Sequence, residues 1–463
     1  MPYYHSYSGY ESARQLPPDR RPPAASGLSA DLYARVARRY CPPTFNLDTT
    51  FVSGVRVPVF ERTVHTTPFW NLIAFDRIST QPEADIPPVL VLPPHAGHCP
   101  TLIRDTVAAF LPDHAVYVPC WADARQVPLS AGVFGLGEAI EAVADMTSRI
   151  GQAVHVVAVM EACVIGIAAA ALLRERGCPP ATLTLLGGPV DCSADRAGLA
   201  RRASARGLDW FMQTAITPIP PPFKGAYREV FPGFLTLTGF LTRSFEHSLA
   251  DPKELFLELV AGDGDSADGH RGFFDEFLAV IDVPAEFMLE WVDAVLINRP
   301  FAANVSQTLS QTRPPLAGIP LMTVEASRDN FGGGGQTHAA HAMTGNPGDG
   351  CRHVEEGAGR FALFSGARWR ASVFPRVADF IASHAGRPSL RRAQTEDLLT
   401  LVGLTPAFVA RLNCEGFYFI HQLAQLDESA AARLDRRLAL EAHPIIAQLG
   451  REARRQLAEA GRS

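Results

Sequence analysis

Residues able to attack an ester or move a proton stand just after several apolar segments of the chain. Cys163 lies three residues beyond the segment VHVVAVM (154–160), and His98 follows the segment PVLVLPP (88–94). Hydrolases with a Ser or Cys nucleophile place it in a sharp turn directly after a strand, within reach of a base and an acid on other strand ends. Here that turn falls on Met160, whose thioether has no proton to lose. The spacing therefore favours ester hydrolysis, but Met160, at the position of the nucleophile, cannot attack an ester.

The elements that would position these side chains alternate from Pro88 onward between short apolar segments and amphipathic ones. This alternation is typical of a mostly parallel sheet with helices on both faces. A final amphipathic helix is predicted at 369–385. The predicted strands are 88–94, 115–121, 154–160, 182–190, 319–326 and 352–355.

The alternation stops between about 192 and 315, where aromatic residues and prolines crowd together. We interpret this segment as a cap inserted between the nucleophile-bearing strands and the strands that carry the acid and the base. Such an order predicts an α/β-hydrolase fold, which is a mostly parallel sheet with helices on both faces and an inserted cap.

Composition changes at both ends of this body. Residues 1–30 are rich in Pro, Ser, Tyr and Arg and are predicted to be a flexible arm, so the hydrolase domain is assigned to 31–385. A polar linker at 386–394 leads to a small all-α module at 395–463. Part of that module, LVGLTPAFVARLNCEGFYFIHQLAQL, weakly resembles a helix-hairpin-helix unit, although Thr405 replaces its second glycine. We expect an interaction module that folds independently.

Charge and cysteine usage exclude several classes of protein. The 463 residues carry a formal net charge of -6, with 47% hydrophobic and 19% charged residues, which is an ordinary globular balance. A nucleic-acid partner is not expected, because the chain lacks a strongly basic field. The N-terminus lacks a signal peptide pattern, and the longest apolar run, 162–173, is too short to span a membrane. The eight scattered cysteines form neither a zinc motif nor a disulfide framework, which favours a reducing cytoplasm.

A series of blocks spread over about 40–385 resembles, in order, the intracellular polyhydroxyalkanoate (polyhydroxybutyrate) depolymerases. The resemblance implies an α/β-hydrolase that cleaves polyester without a cofactor or a metal ion. The blocks are PTFNLDTT, GHCPTLIRDTV, LPDHAVYVPCWADARQVPL, VHVVAVMEA, LGGPVD, VFPGFLTLTGF, GDGDSADGHRGFFDEFLAVIDVPAEF, TVEASRDNFGGGGQT and GAGRFALFSGARWR.

The resemblance also assigns three catalytic positions, of which one keeps its residue. The family's nucleophile is a cysteine in an A-V-C-Q-P turn, where this chain reads A-V-M-E-A with Met160 at its centre. The family's acid corresponds to Asp329, and the histidine base of its G-A-G-H block corresponds to Arg360. A guanidinium stays protonated and cannot accept a proton from a nucleophile. We expect the three side chains to converge, with Arg360 paired to Asp329 and hydrolysis of the family type absent.

Other residues could take part in the chemistry. Cys163 could substitute as a nucleophile, although a cysteine one turn into a helix usually packs as a small hydrophobe. His98 matches a family Gly-His position beside the expected oxyanion loop, where it could simply order that loop by hydrogen bonds. His338 and His341 have helical spacing that could indicate a metal pair, but they lack a third ligand at matching spacing, so solvated histidines are expected.

The function predicted is a catalytically degenerate depolymerase relative, a pseudoenzyme that binds polyhydroxyalkanoate polymer, oligomers or granules in the cytoplasm. Granule proteins could bind through the C-terminal module. Two alternatives are an active carboxylic-ester hydrolase with a relocated nucleophile and a scaffold that acts through the C-terminal module. Cap aromatics are predicted to line a cleft above Met160, namely Trp210, Phe211, Phe231, Phe234 and Phe240.

Overall fold

The computed structural model describes most of the hydrolase body and part of the C-terminal region. The predicted arm, the linker, Phe234 and Phe240 and the residues around Thr405 lie outside the described residues. The described residues are 44–52, 55–78, 86–95, 97–192, 199–233, 235–236, 276, 279–297, 314–329, 334–345, 351–385, 398, 401, 404, 408, 412, 417, 420–438, 440 and 445–460.

One nine-stranded sheet forms the centre of the body, in the order β1-β2-β3-β5-β4-β6-β7-β11-β12. The strands from β4 to β7, together with β11 and β12, run parallel, and β1 to β3 add to one side as antiparallel strands. The strands are β1 Thr49–Val52, β2 Val55–Thr66, β3 Trp70–Arg77, β4 Pro88–Leu92, β5 Ala115–Trp121, β6 His155–Val159, β7 Thr182–Leu186, β8 Thr217–Pro218, β9 Glu229–Phe231, β10 Val283–Pro284, β11 Leu321–Ala326 and β12 Cys351–Glu355.

Helices connect the parallel strands and lie on both faces of the sheet. The α-helices are α1 Arg104–Phe110, α2 Leu136–Ile150, α3 Ala162–Glu175, α4 Leu199–Ala215, α5 Ala285–Val292, α6 Phe374–His384, α7 Ile420–Ala424, α8 Glu428–Arg437 and α9 Ile446–Ala460, with one further turn at Gly366–Arg368. Short 3-10 segments occur at Pro100–Ile103, Ala124–Gln126, Leu129–Ala131, His338–Met343 and Arg360–Leu363, and π-helical turns at Asp293–Ile297 and Trp369–Val373.

The central strands are buried because they are covered on both faces. Every residue of β6 (HVVAV) and β7 (TLTLL) is buried, as expected for parallel strands between two layers of helices. Val156 and Ala158 of β6 belong to one hydrophobic core, whereas Val157 and Val159 belong to the core on the other face. The predicted α/β-hydrolase fold is thus confirmed, and the sheet brings the carboxyl ends of its parallel strands to one edge.

Three strands and a small sheet were not predicted. Residues 49–77 form the antiparallel strands β1, β2 and β3, and β3 pairs directly with β5. Within the predicted cap, β8, β9 and β10 form a three-stranded antiparallel sheet, and α4 is interrupted at Gly207 (φ 72°, ψ 165°). These strands lie where the sequence shows no alternation, because strands of two or three residues are too short to show it.

The helices α7 to α9 enclose a hydrophobic core of their own, which includes Phe417, Leu423 and Leu434. One residue of the hydrolase body, Phe51 of β1, also belongs to this core, and its ring lies 4.2 Å from that of Phe417. The C-terminal module therefore contacts the edge strand of the main sheet.

Removal of residues 391–463 is expected to leave the hydrolase body folded. The main cost should be exposure of Phe51, which amounts to about 1.5–3 kcal/mol for one large apolar side chain. Urea denaturation of the full chain and of the truncated chain measures this difference. Phe51→Ser in the truncated chain is the control for solubility. A molten truncated protein that this change does not rescue would contradict the independence of the two parts.

Candidate active site

The sharp turn predicted for the nucleophile is present at the end of β6. Met160 has φ 54°, a left-handed conformation that is uncommon for a residue other than glycine. Its amide donates to the carbonyl of Leu186 at 2.8 Å, and its own carbonyl accepts from the amide of Cys163 at 3.0 Å. Strained backbone of this kind concentrates at functional sites. The strand, turn and helix of a nucleophile elbow are thus in place around a side chain that is 2% exposed.

Cys163 is packed tightly beneath this turn. Its side chain is fully buried, its Sγ lies 3.3 Å from the carbonyl oxygen of Ala158, and burial raises the pKa of its thiol. A β-carbon at Gly188 would lie 2.3 Å from the Cβ of Cys163, so the loop after β7 closes directly over it. A thiol in this environment stays protonated, whereas a nucleophilic cysteine needs the thiolate.

The predicted base position begins a 3-10 turn after β12, and its side chain reaches the nucleophile turn. Arg360 and Glu161 form an ion pair with Nη2 and Oε1 at 3.4 Å. Their side chains are 5% and 8% exposed, so both charges are buried. The sequence predicts Asp329 as the partner of Arg360, and that pairing remains a prediction.

The predicted acid position lies beside the segment that carries Arg360. Asp329 is half-buried in the turn after β11, and its amide donates to the carbonyl of Ala326 at 3.1 Å. The preceding amide, of Arg328, donates to the carbonyl of Ala358 at 3.0 Å, two residues before Arg360. The turns after β6, β11 and β12 are therefore neighbours at one edge of the sheet.

The loop after β4, which carries His98, is fastened to the cap. The carbonyl of Gly97 accepts from the amide of Ile281 at 2.7 Å, and the amide of Cys99 donates to the carbonyl of Ala279 at 2.9 Å. His98 itself is 3% exposed. These backbone bonds hold the expected oxyanion loop in place and already engage the amide of Cys99.

His95 of the same loop lies between two aromatic rings that sequence analysis did not single out. Its ring centroid is 4.3 Å from that of Trp121 and 4.0 Å from that of Phe287 in α5. Burial in this apolar site lowers the pKa of His95 to about 3, so the imidazole is neutral at neutral pH. His95 thus joins the sheet edge to the cap by packing.

Acidification is expected to destabilise the protein through His95. Since its pKa falls from an ordinary 6.5 to about 3 on folding, its stabilising effect is complete above pH 6.5 and is lost as pH falls towards 3. The loss between about pH 7.5 and about pH 5 should be about 2 kcal/mol. Urea denaturation of the wild type and of His95→Leu at both pH values measures it, and the variant should lose about 2 kcal/mol less than the wild type on acidification. His155 and His341, whose pKa values burial lowers to about 4, add losses of their own in both proteins. The matched control His384→Leu, at an exposed position, should lose as much as the wild type.

His338 and His341 form a buried hydrogen-bonded cluster with a strand residue. His338 Nδ1 and His341 Nε2 lie 2.7 and 2.8 Å from the hydroxyl oxygen of Thr323 in β11. His341 is fully buried, so the expectation of solvated histidines was wrong. The short helix carrying them packs on the sheet, which excludes water from His341. Among the described residues, no group of three or more side chains is arranged to hold a metal ion.

The predicted cap aromatics have contacts of a different kind from those expected. Phe211 and Phe231 pack against the core on one face of the sheet, whereas Met160 belongs to the core on the other face. Trp210 packs edge-to-face on Phe211, with the guanidinium of Arg206 4.3 Å from its ring centroid. These contacts favour a structural role for the described cap aromatics, and their lining of a cleft stays a prediction.

Glu161 is the site residue that sequence analysis overlooked. A signal was present, because Glu161 replaces the neutral glutamine of the family turn while Arg360 replaces a neutral histidine of the family. Two charges of opposite sign therefore appear at two altered positions. Only the structure shows that they meet.

Comparison with known proteins supports the family resemblance in the second half of the body. Residues 187–385 match the family model described as PHB de-polymerase C-terminus, a range that contains Asp329 and Arg360 but not Met160. The chain thus resembles the polyhydroxybutyrate depolymerase family. A search of curated proteins finds no match.

Solved structures similar to this chain include several hydrolases. A lipase in an open form is 16% identical, with 72% of this chain and 100% of the lipase covered and a TM-score of 0.46. A thermophilic esterase from Thermogutta terrifontis, malate bound, is 12% identical, with coverage of 66% and 92% and a TM-score of 0.38. An alpha/beta fold family hydrolase from Bacillus anthracis str. Sterne is 10% identical, with coverage of 70% and 99% and a TM-score of 0.36. No helix in the described part of the chain has the length and apolar character needed to cross a membrane.

Proposed function

We propose that this depolymerase-like chain has lost family-type hydrolysis and acts by binding polyhydroxyalkanoate at the surface of intracellular polymer granules. The predicted nucleophile is a thioether and the predicted base is a guanidinium, and neither can carry out its step. The remaining candidate nucleophile, Cys163, is buried and its pKa is raised.

The observation that carries this proposal is the buried ion pair between Glu161 and Arg360. Burying either charge alone would cost several kcal/mol, whereas a paired charge offsets much of that cost. A chain that had only decayed would not be expected to acquire two complementary charges at the elbow and at the base position. The pair therefore supports a site rebuilt to be stable without chemistry.

The backbone conformation of the nucleophile turn also supports a binding role without hydrolysis. The turn at Met160 keeps a left-handed φ, which costs about 1–3 kcal/mol in a residue other than glycine. The surrounding fold still specifies this turn, together with the loops after β4, β11 and β12. A polymer-facing surface built from those loops can persist while the reactive side chains are gone.

Two assays on the wild-type chain test the proposal. Co-sedimentation with amorphous polyhydroxybutyrate particles should show binding, and release of 3-hydroxybutyrate or its oligomers should not exceed that of a protein-free control. Hydrolysis that is abolished by Cys163→Ala or by alkylation would instead establish a relocated nucleophile. Failure to bind the particles would contradict the binding role.

A further inference from the structure

Three large apolar side chains are exposed on two neighbouring segments, one after β5 and one just before β9. Leu129, Val133 and Tyr227 are 52%, 64% and 68% exposed, and we call them the apolar rim. Single exposed apolar residues are ordinary, but a group of them on one surface marks an interaction site.

One buried arginine holds the two segments of the apolar rim against each other. Arg228 follows Tyr227 and is 2% exposed. Its guanidinium donates to the carbonyls of Val127, Pro128 and Gly132 at 3.1, 2.8 and 2.9 Å. These carbonyls flank Leu129 and precede Val133. The rim is therefore formed in the folded protein before any partner arrives.

The backbone beneath the apolar rim is closely packed and strained. Gly225 approaches the 124–127 segment so closely that a β-carbon there would lie 2.4 Å from the carbonyl oxygen of Ala124. Tyr227 has φ 72°, a strained conformation for a tyrosine, while its amide donates to the carbonyl of Ile219 at 2.7 Å. The loop thus holds the Tyr227 side chain outward, 68% exposed, on a strained backbone.

The apolar rim lies on the same edge of the sheet as the candidate active site. β5 and β6 both pair in parallel with β4, so their carboxyl ends point the same way. The segment carrying Leu129 and Val133 follows β5, and Met160 follows β6. A polymer surface that contacts the rim therefore faces the edge that carries the nucleophile turn.

The two segments that carry the rim contain little charge of their own. Residues 126–137 contain no Asp, Glu, Lys or Arg, and residues 217–227 contain only Lys224. An anionic surface such as nucleic acid or acidic lipid would call for a cluster of basic residues. A neutral, apolar occupant matches this composition.

We infer that the apolar rim docks this chain onto the surface of a neutral, apolar polyester particle. This inference rests on the proposed binding function and assigns it to Leu129, Val133 and Tyr227. Docking buries the three exposed side chains, and water release from them supplies the driving force.

The test compares two triple variants in binding to amorphous polyhydroxybutyrate particles. The rim variant Leu129→Ser, Val133→Ser, Tyr227→Asn should bind at least about tenfold more weakly, since it loses the burial of three exposed apolar side chains against the particle. Asparagine is chosen at 227 because it tolerates a left-handed φ. The control variant alters three apolar residues of similar exposure on the β2–β3 hairpin, and it should bind like the wild type. It carries Val55→Ser, Phe60→Ser and Ile78→Ser, at positions 63%, 55% and 63% exposed.

Four other outcomes would each contradict a different part of this inference. A wild type that does not bind particles contradicts the proposed function itself. If the wild type binds particles and the rim variant binds them equally well, the assignment of binding to the apolar rim is wrong, but the proposed function is not contradicted. Equal binding of the wild type to phosphatidylcholine vesicles, lost in the rim variant, would make a lipid surface the occupant. A wild-type dimer in gel filtration that the rim variant converts to a monomer would make a second copy of this chain the occupant.

Discussion

The triple variant Met160→Cys, Glu161→Gln, Arg360→His is expected to hydrolyse short 3-hydroxyacyl esters at least about 100-fold faster than the wild type. This gain is a small part of the rate factor of about 10⁶ that is lost when a triad nucleophile or base is removed. It restores nucleophile and base at the two turns that the sheet already brings together. Glu161→Gln is included because Arg360→His alone would leave a buried carboxylate without its ion-pair partner.

Initial rates with and without iodoacetamide measure this activity, which should be lost on alkylation. The matched control Met160→Ala, Glu161→Gln, Arg360→His has the same charge at the site but lacks a thiol, and it should stay inactive. Adding Asp329→Asn to the active variant should lower its rate, since the acid orients the base. Robust hydrolysis by the wild type would contradict the degenerate site, and a folded but inactive triple variant would contradict the predicted convergence.

Arg360→Met is expected to lower the free energy of unfolding by about 3–5 kcal/mol, because it leaves the buried Glu161 carboxylate without its cation. The double variant Glu161→Gln, Arg360→Met should recover at least half of that loss, since the uncompensated charge is gone. Urea denaturation of the wild type, both single variants and the double variant gives the coupling between the two residues.

An exposed ion pair supplies the control for this cycle. Arg149 and Asp145 lie 2.7 Å apart in α2 with both side chains 43% exposed. Arg149→Met should cost no more than about 0.5 kcal/mol, because solvent screens a pair of this kind. Additive single effects at Glu161 and Arg360 would show that the pair contributes no coupling and would remove the main support for the proposed function.

The parallel part of the fold could be predicted from the sequence because its signals are local. Segments such as VHVVAVM and TLTLL are continuously apolar, and helical segments separate them. The strands β1 to β3 precede this alternation, and only the pairing of β3 with β5 shows that they belong to the same sheet. The strands β8 to β10 have two or three residues each, too few for any periodic signal.

Part of the candidate site could likewise be predicted from the sequence, and part could not. The positions of Met160 and Asp329 follow from strand ends and family blocks, which the sequence displays. The contact of Glu161 with Arg360 joins residues 199 positions apart, and it depends on side-chain directions that no local pattern encodes. The packing of His95 likewise depends on contacts with Trp121 of β5 and Phe287 of α5, which are distant from each other in the sequence.

The buried pair of Glu161 and Arg360 also restricts the evolutionary paths open to this chain. A lineage that replaces one of these residues before the other passes through an intermediate weakened by several kcal/mol, a large part of a protein's usual stability of about 5–15 kcal/mol. Regaining hydrolysis requires the nucleophile as well, so a first reversion brings a cost and no activity for selection to favour. The pair thus makes the loss of hydrolysis hard to reverse, and descendants of this chain can change what they bind more readily than they can recover an ancestral reaction.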